Sequence, residues 1–191
     1  MKGNIKNLVL FVIVAAMFIT ATMASAGPKE KFIHAEYVFT GSGGCLLAPG
    51  GFDASLKATG TTTLGPNVWA GVYTFERDGT GTVTAVNRAI NSGSASAAEM
   101  SWAFDYTIVN GDITFKNMRD FEAVYTDGPN AGHTSYLKWT VEYYGVISAD
   151  GKIINVSYGA PMIHYVLDAK NGNIVVGPQI ICQVAVTGFR Q

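Results

Sequence analysis

The chain has 191 residues, 48% apolar and only 14% charged, with 22 glycines and a formal net charge of −1. That is one domain's length with room for a real core. No Lys/Arg cluster follows the first few residues, so there is no electrostatic footprint for nucleic acid or anionic lipid. Low charge and abundant glycine fit a β-rich exported protein rather than a helical cytosolic one.

The N-terminus reads as an export leader. Lys2 and Lys6 form a basic head, Leu8 to Ile19 is an apolar run, and Ala24-Ser25-Ala26 supplies the small-x-small pattern of signal-peptidase sites. The apolar run is shorter than the ~20 residues a membrane-spanning helix needs. Residues 1–26 are therefore expected to be a signal peptide and 27–191 a single domain. That domain is destined for the periplasm or the medium, where two cysteines tend to pair.

After Gly27 the chain reads as strands and turns. Residues 32–39 alternate Ile33, Tyr37 and Phe39 against His34 and Glu36, and a glycine-rich loop from Gly41 to Phe52 follows. A weakly patterned stretch then leads to 68–75, with Trp69, Tyr73 and Phe75 on one face. Asp78-Gly79 is a hairpin signal, because glycine accepts the positive φ such turns require. The return strand is 82–90, and a small-residue loop follows it. The clearest strand is 101–108, with Trp102, Phe104, Tyr106 and Ile108 alternating against Ala103, Asp105 and Thr107.

Asn110-Gly111 turns that strand into Asp112–Asn117, and a further short strand starts at Asp120. Residues 135–147 put Leu137, Trp139, Val141 and Tyr143 on one face. Asp150-Gly151 and Asn171-Gly172 mark two more turns, and the last strand, 179–189, faces Ile180, Cys182, Val184 and Val186 one way. A meander of about nine or ten strands must close on itself or fold into two sheets to remove its edges. The expected fold is all-β: a closed antiparallel up-and-down barrel, with a β-sandwich as the alternative.

In such a barrel the first and last strands are neighbours, so Cys45 and Cys182 are expected to form a disulfide across the seam. In the chain-entropy account, closing so long a loop stabilises by roughly 4–5 kcal/mol. A reactive redox pair would need CxxC proximity or an activating neighbour, and neither is present.

Three stretches carry a resemblance: "GGCLLAPGGFDASL", "GVYTFERDGTGTVTA" and "QIICQ". Together they resemble a group of secreted bacterial β-proteins with a CL...GF stretch, a DGTGTV-type hairpin and a C-terminal cysteine. The resemblance implies export and a paired-cysteine β fold, and no activity. The architecture is also lipocalin-like, although the early Gly-x-Trp of lipocalins is not reproduced at Trp69, which precedes Ala70-Gly71.

Little in the sequence points to catalysis. The three histidines, His34, His133 and His164, show no ligand spacing. His34 and His164 are expected on the polar, solvated faces of their strands. There is no GxSxG elbow and no P-loop. Asp105, Asp120, Glu122 and Glu142 are the carboxylates available for glycosidase-type chemistry. Asp105 and Glu142 alternate out of phase with the apolar side chains, which points to a solvated outer face. "SADGK" and "ERDGTGT" lack the further acidic positions of a calcium loop and read as hairpin turns.

What remains is the aromatic set: Tyr37, Trp69, Tyr73, Trp102, Tyr106, Trp139, Tyr143, Tyr158 and Tyr165. Pointing inward, these side chains either fill the core or line a pocket. In the pocket reading Trp69, Tyr73, Trp102, Tyr106, Trp139, Tyr143 and Tyr165 contact a small apolar or aromatic ligand, without cofactor or metal. A filled interior would instead suit a structural or cell-surface interaction protein. A barrel-type cyclase or isomerase is the third reading. A pocket of roughly 300 Å³ or more favours binding over a solid core.

Overall fold

The computed structural model describes residues 33–191 except 92–93, 140–141, 158–160 and 171, with the backbone alone at 91 and 176–178. The expected leader, Val141, Tyr158 and Asn171 lie outside the described residues or side chains. The fold is all-β and antiparallel. Its ten strands are β1 (Ala35–Leu47), β2 (Thr63–Phe75), β3 (Thr80–Asn91), β4 (Ser94–Val109), β5 (Asp112–Asp127), β6 (Thr134–Trp139), β7 (Tyr143–Ile147), β8 (Ile153–Ser157), β9 (Met162–Leu167) and β10 (Ile174–Arg190).

Strand pairing runs in a ring. β1 to β5 pair in sequence order, β5 pairs β6, β6 pairs β9, β9 pairs β10, and β10 returns to β1. At the opposite end of the long strands, β7 and β8 take the places of β6 and β9 between β5 and β10. The ring therefore counts eight strands at either end. The expected single strand 135–147 is interrupted, its two segments forming β6 and β7. Opposite that interruption β5 carries register shifts, with Asn117 and Asp120 at φ of 51° and 56°. Bulges of this kind bend a strand and raise its twist.

Two expected loops and the end of the weakly patterned stretch are strand. Gly41–Leu47, the core of the glycine-rich stretch, is the second half of β1 and pairs with β2 on one side and β10 on the other. The glycines serve close approach here. A Cβ at Gly43 would run into the Gln183 carbonyl oxygen and come within 2.8 Å of the Val184 Cα. Ser94–Glu99 opens β4, and Thr63–Asn67 opens β2. Small or weakly patterned residues hid these segments, because pairing rather than side-chain propensity holds them in the sheet.

The turns follow the dipeptides. Asn110 and Gly111 both take positive φ, 56° and 91°, as a type I′ hairpin requires. Gly79 and Gly151 are also left-handed, at 84° and 70°.

The seam is the β1–β10 ladder, unbroken from Tyr37↔Arg190 to Leu47↔Ile180. Within it Cys45 lies opposite Cys182, and the two form a disulfide across 137 residues of sequence. Replacing both cysteines by alanine is expected to lower stability by about 4 kcal/mol, measured as a shift in the urea midpoint under non-reducing conditions. An unchanged midpoint would mean that the ladder needs no covalent help.

Candidate functional site

The inner face of the ring has two halves of different character. At the end carrying the Gly79, Gly111 and Gly151 turns, rings dominate the interior: Tyr37, Phe39, Tyr73, Phe75, Phe104, Tyr106, Phe115 and Tyr143 are all buried, with Val83, Ile113, Ile154 and Val186 packed among them. Phe115 stacks on Tyr143 at 4.5 Å and 12°, and Phe75 meets Tyr106 edge-on at 4.9 Å and 88°. Such pairs add about 0.5–1.5 kcal/mol each beyond their buried area.

Two of the hydroxyls at this end, those of Tyr37 and Tyr106, are tied to backbone. Tyr37 donates to the Gly151 carbonyl at 2.6 Å. The Tyr106 hydroxyl lies 2.6 Å from the Glu76 carbonyl and 2.7 Å from that of Ile33, and accepts from the Ile33 N–H at 3.0 Å. Burial pushes the Tyr143 phenol up, and contacts with the Trp102 and Tyr73 side chains offset part of that rise. This half is filled.

Toward the disulfide end the inward residues shrink. Ala89, Ser96, Ala98 and Ala123 stand where the other half carries rings, and the interior opens into a cup of about 240 Å³. Leu47, Trp69, Met100, Phe121, Leu137 and Ile180 form its apolar wall, completed by Cys45 and Cys182. Behind this wall Trp102 packs edge-on to Trp69 at 6.1 Å, and Trp139 lies 4.8 Å from Phe121 and 5.1 Å from Trp102.

Two buried polar side chains are built into the wall. Asn67, only 5% exposed, accepts the Trp69 indole N–H at 2.6 Å and an Asn87 amide N–H at 3.3 Å, and donates to the Cys45 sulfur at 2.9 Å. Across the cup stands His164, 7% exposed, its ring 5.6 Å from that of Trp139. Its Nε2 and the Trp139 Nε1 are buried with no hydrogen-bond partner among the described residues. Burial pushes the His164 imidazole down to about 4, so the ring is neutral at ordinary pH.

The aromatic candidates therefore separate. Trp69 lines the cup, and Trp102 and Trp139 pack behind it. Tyr73, Tyr106 and Tyr143 belong to the filled half. β9 corrects the expected phase: His164 is the buried, inward residue, and Tyr165 is half-buried on the other face, paired with the exposed Lys138. The sequence reading missed His164 because Met162 and His164 set the inward phase, which the larger Tyr165 obscured. It missed Asn67 because that residue fell in the weakly patterned stretch.

The other polar candidates face outward. His34 meets Glu76 at 3.1 Å and His133 is exposed. Asp105 is held by Asn117 and, after it, Arg119, each at 2.7 Å, which keeps its carboxyl below the ordinary range. Glu142 accepts the Tyr144 hydroxyl at 3.2 Å. Among the described residues no three or more His, Cys, Asp or Glu side chains gather where they could hold a metal ion. Three larger grooves, of about 440, 520 and 590 Å³, lie on the outer face, bounded by residues such as Val86, Val68 and Tyr144. They are shallow hollows open to solvent.

The state of His164 has a thermodynamic consequence. The unfolded chain takes up this proton at the ordinary value of 6.5, the folded chain only near 4. This group's full contribution is present above pH 6.5, and stability is lost progressively as pH falls toward 4, by about 3 kcal/mol in all. A His164→Phe variant is expected to lose that slope in urea titrations between pH 6.5 and 4.5. Identical slopes in the two proteins would show that the imidazole is charged in the folded state.

No protein-family model matches the chain and no curated protein matches it, so the functional reading stands on this geometry.

Proposed function

We propose that the chain is an exported, non-catalytic binding protein whose ring of strands closes as a lipocalin-like barrel and holds a small apolar or aromatic molecule in the cup. The unbroken β1–β10 ladder supports closure, because it leaves neither the first nor the last strand with a free edge. The disulfide fits an oxidising compartment. The basic head, apolar run and Ala24-Ser25-Ala26 fit a cleaved leader.

The observation that carries the reading is the cup itself, apolar-walled and about 240 Å³, set on a filled aromatic half. Its size falls short of the roughly 300 Å³ set above as favouring binding over a solid core, but exceeds the ~150 Å³ of an engineered apolar cavity that admits benzene. That range suits one or two fused rings. The filled half is the feature favouring the alternative of a solid structural or interaction protein, and one experiment separates the two.

Native mass spectrometry of protein from its own host's exported fraction is expected to show a co-purifying small molecule, lost on substituting Ala98→Trp. Ala98 lies in the cup wall, so the added indole fills the space while the strand pairing is unchanged. Titration with 2-naphthol, read by tryptophan fluorescence, is expected to saturate for the native chain and to fail for the variant. A bare mass across preparations, together with no 2-naphthol response, would leave the solid-core alternative.

A further inference from the structure

The character of the cup wall goes one step beyond its size. Its residues include no Asp, Glu, Lys or Arg. The internal stretches outside the described residues add none, since 92–93, 140–141, 158–160 and 171 are Ser-Gly, Thr-Val, Tyr-Gly-Ala and Asn, and 176–178 are Val-Gly-Pro. Charged side chains on the strands that form the wall, such as Arg88, Glu99 and Lys138, alternate with the inward positions and are exposed. Those on nearby loops, Asp53, Lys57, Asp168 and Lys170, are exposed as well, where solvent and salt screen them.

The groups that do face the ligand space are neutral dipoles. The Asn67 amide is committed to Trp69, Asn87 and the Cys45 sulfur. Asn87 spends one N–H on Asn67, and its remaining amide groups have no partner among the described residues. His164 presents a neutral ring.

We propose that the cup selects uncharged ligands: a planar aromatic molecule carrying a neutral hydrogen-bonding group, such as an amide or phenol, in preference to the corresponding carboxylate. Asn87 is the polar contact, and Trp69, Met100 and Phe121 are the apolar one. The physical reason is desolvation. A carboxylate entering this wall gives up its water and meets no countercharge, whereas an amide exchanges its water for amide partners. The inference rests on the binding reading above and deepens it.

The test compares isosteres. Indole-3-acetamide and indole-3-acetate differ in charge and hardly in shape, and each is titrated into the full mature protein at pH 7 by calorimetry. The amide is expected to bind at least a hundredfold more tightly than the acid, with an affinity indifferent to salt. Substituting Asn87→Lys, which places a cation in the wall, is expected to shift the acid-to-amide ratio at least tenfold toward the acid. Acid binding as tight as amide binding in the native protein would overturn charge selection while leaving the cup a binding site. Failure of both compounds, with no response to 2-naphthol, would overturn the binding reading itself.

Discussion

Everything in this molecule depends on the ladder between its first and last strands. A chain of long antiparallel hairpins has two loose ends, and each would present a row of unpaired N–H and C=O groups. Here β1 and β10 satisfy one another from Tyr37↔Arg190 to Leu47↔Ile180. The glycine-rich stretch makes the fit possible: at Gly41 and Gly43 even a methyl group would press on the β10 backbone. The disulfide lies near the far end of the same ladder, where a frayed strand would open the cup wall. Backbone fit and sulfur link thus act on one seam, the first setting the register and the second limiting the unfolded chain.

The contrast between the two halves of the interior is a matter of side-chain volume. The same strands carry both. β4 runs from Ser96 and Ala98 through Met100 to Trp102, Phe104 and Tyr106, so its inward residues grow along its length. β5 runs the other way, from Ile113 and Phe115 through a doubly bulged stretch to Phe121 and Ala123. Opposite the bulges the partner strand is broken into β6 and β7. The change in local geometry and the change in side-chain size fall at about the same height, between a packed aromatic half and an open one. Rings meeting edge-on and stacked fill the first; alanine and serine leave the second unfilled.

The filled half admits only tyrosine hydroxyls, whereas an amide and an imidazole enter the interior where the volume opens. Asn67 joins an indole, a second amide and the disulfide sulfur, so a buried side chain that would otherwise be costly is satisfied. His164 stands opposite without that compensation, and its neutrality is how the fold accommodates it. An uncharged, mostly apolar wall with a few fixed dipoles is the chemistry behind the proposed preference for neutral aromatic molecules.

The sequence by itself determined what local rules can carry. Alternation at 101–108 placed Trp102, Phe104, Tyr106 and Ile108 inward, Asp78-Gly79, Asn110-Gly111 and Asp150-Gly151 gave turns, and the two cysteines in a meander of strands led to the Cys45–Cys182 bond. Those signals work because strand phase is strict, and because a left-handed turn restricts which residues can occupy it. Only the tertiary structure decided the rest. Gly41–Leu47 and Ser94–Glu99 become strand because neighbouring strands supply hydrogen bonds that small residues do not advertise. His164 rather than Tyr165 turns inward because the phase of β9 is set by its pairing with β6 and β10. The cup exists because small residues from separate strands fall at one height, and that coincidence is a product of register, which no single stretch of chain contains.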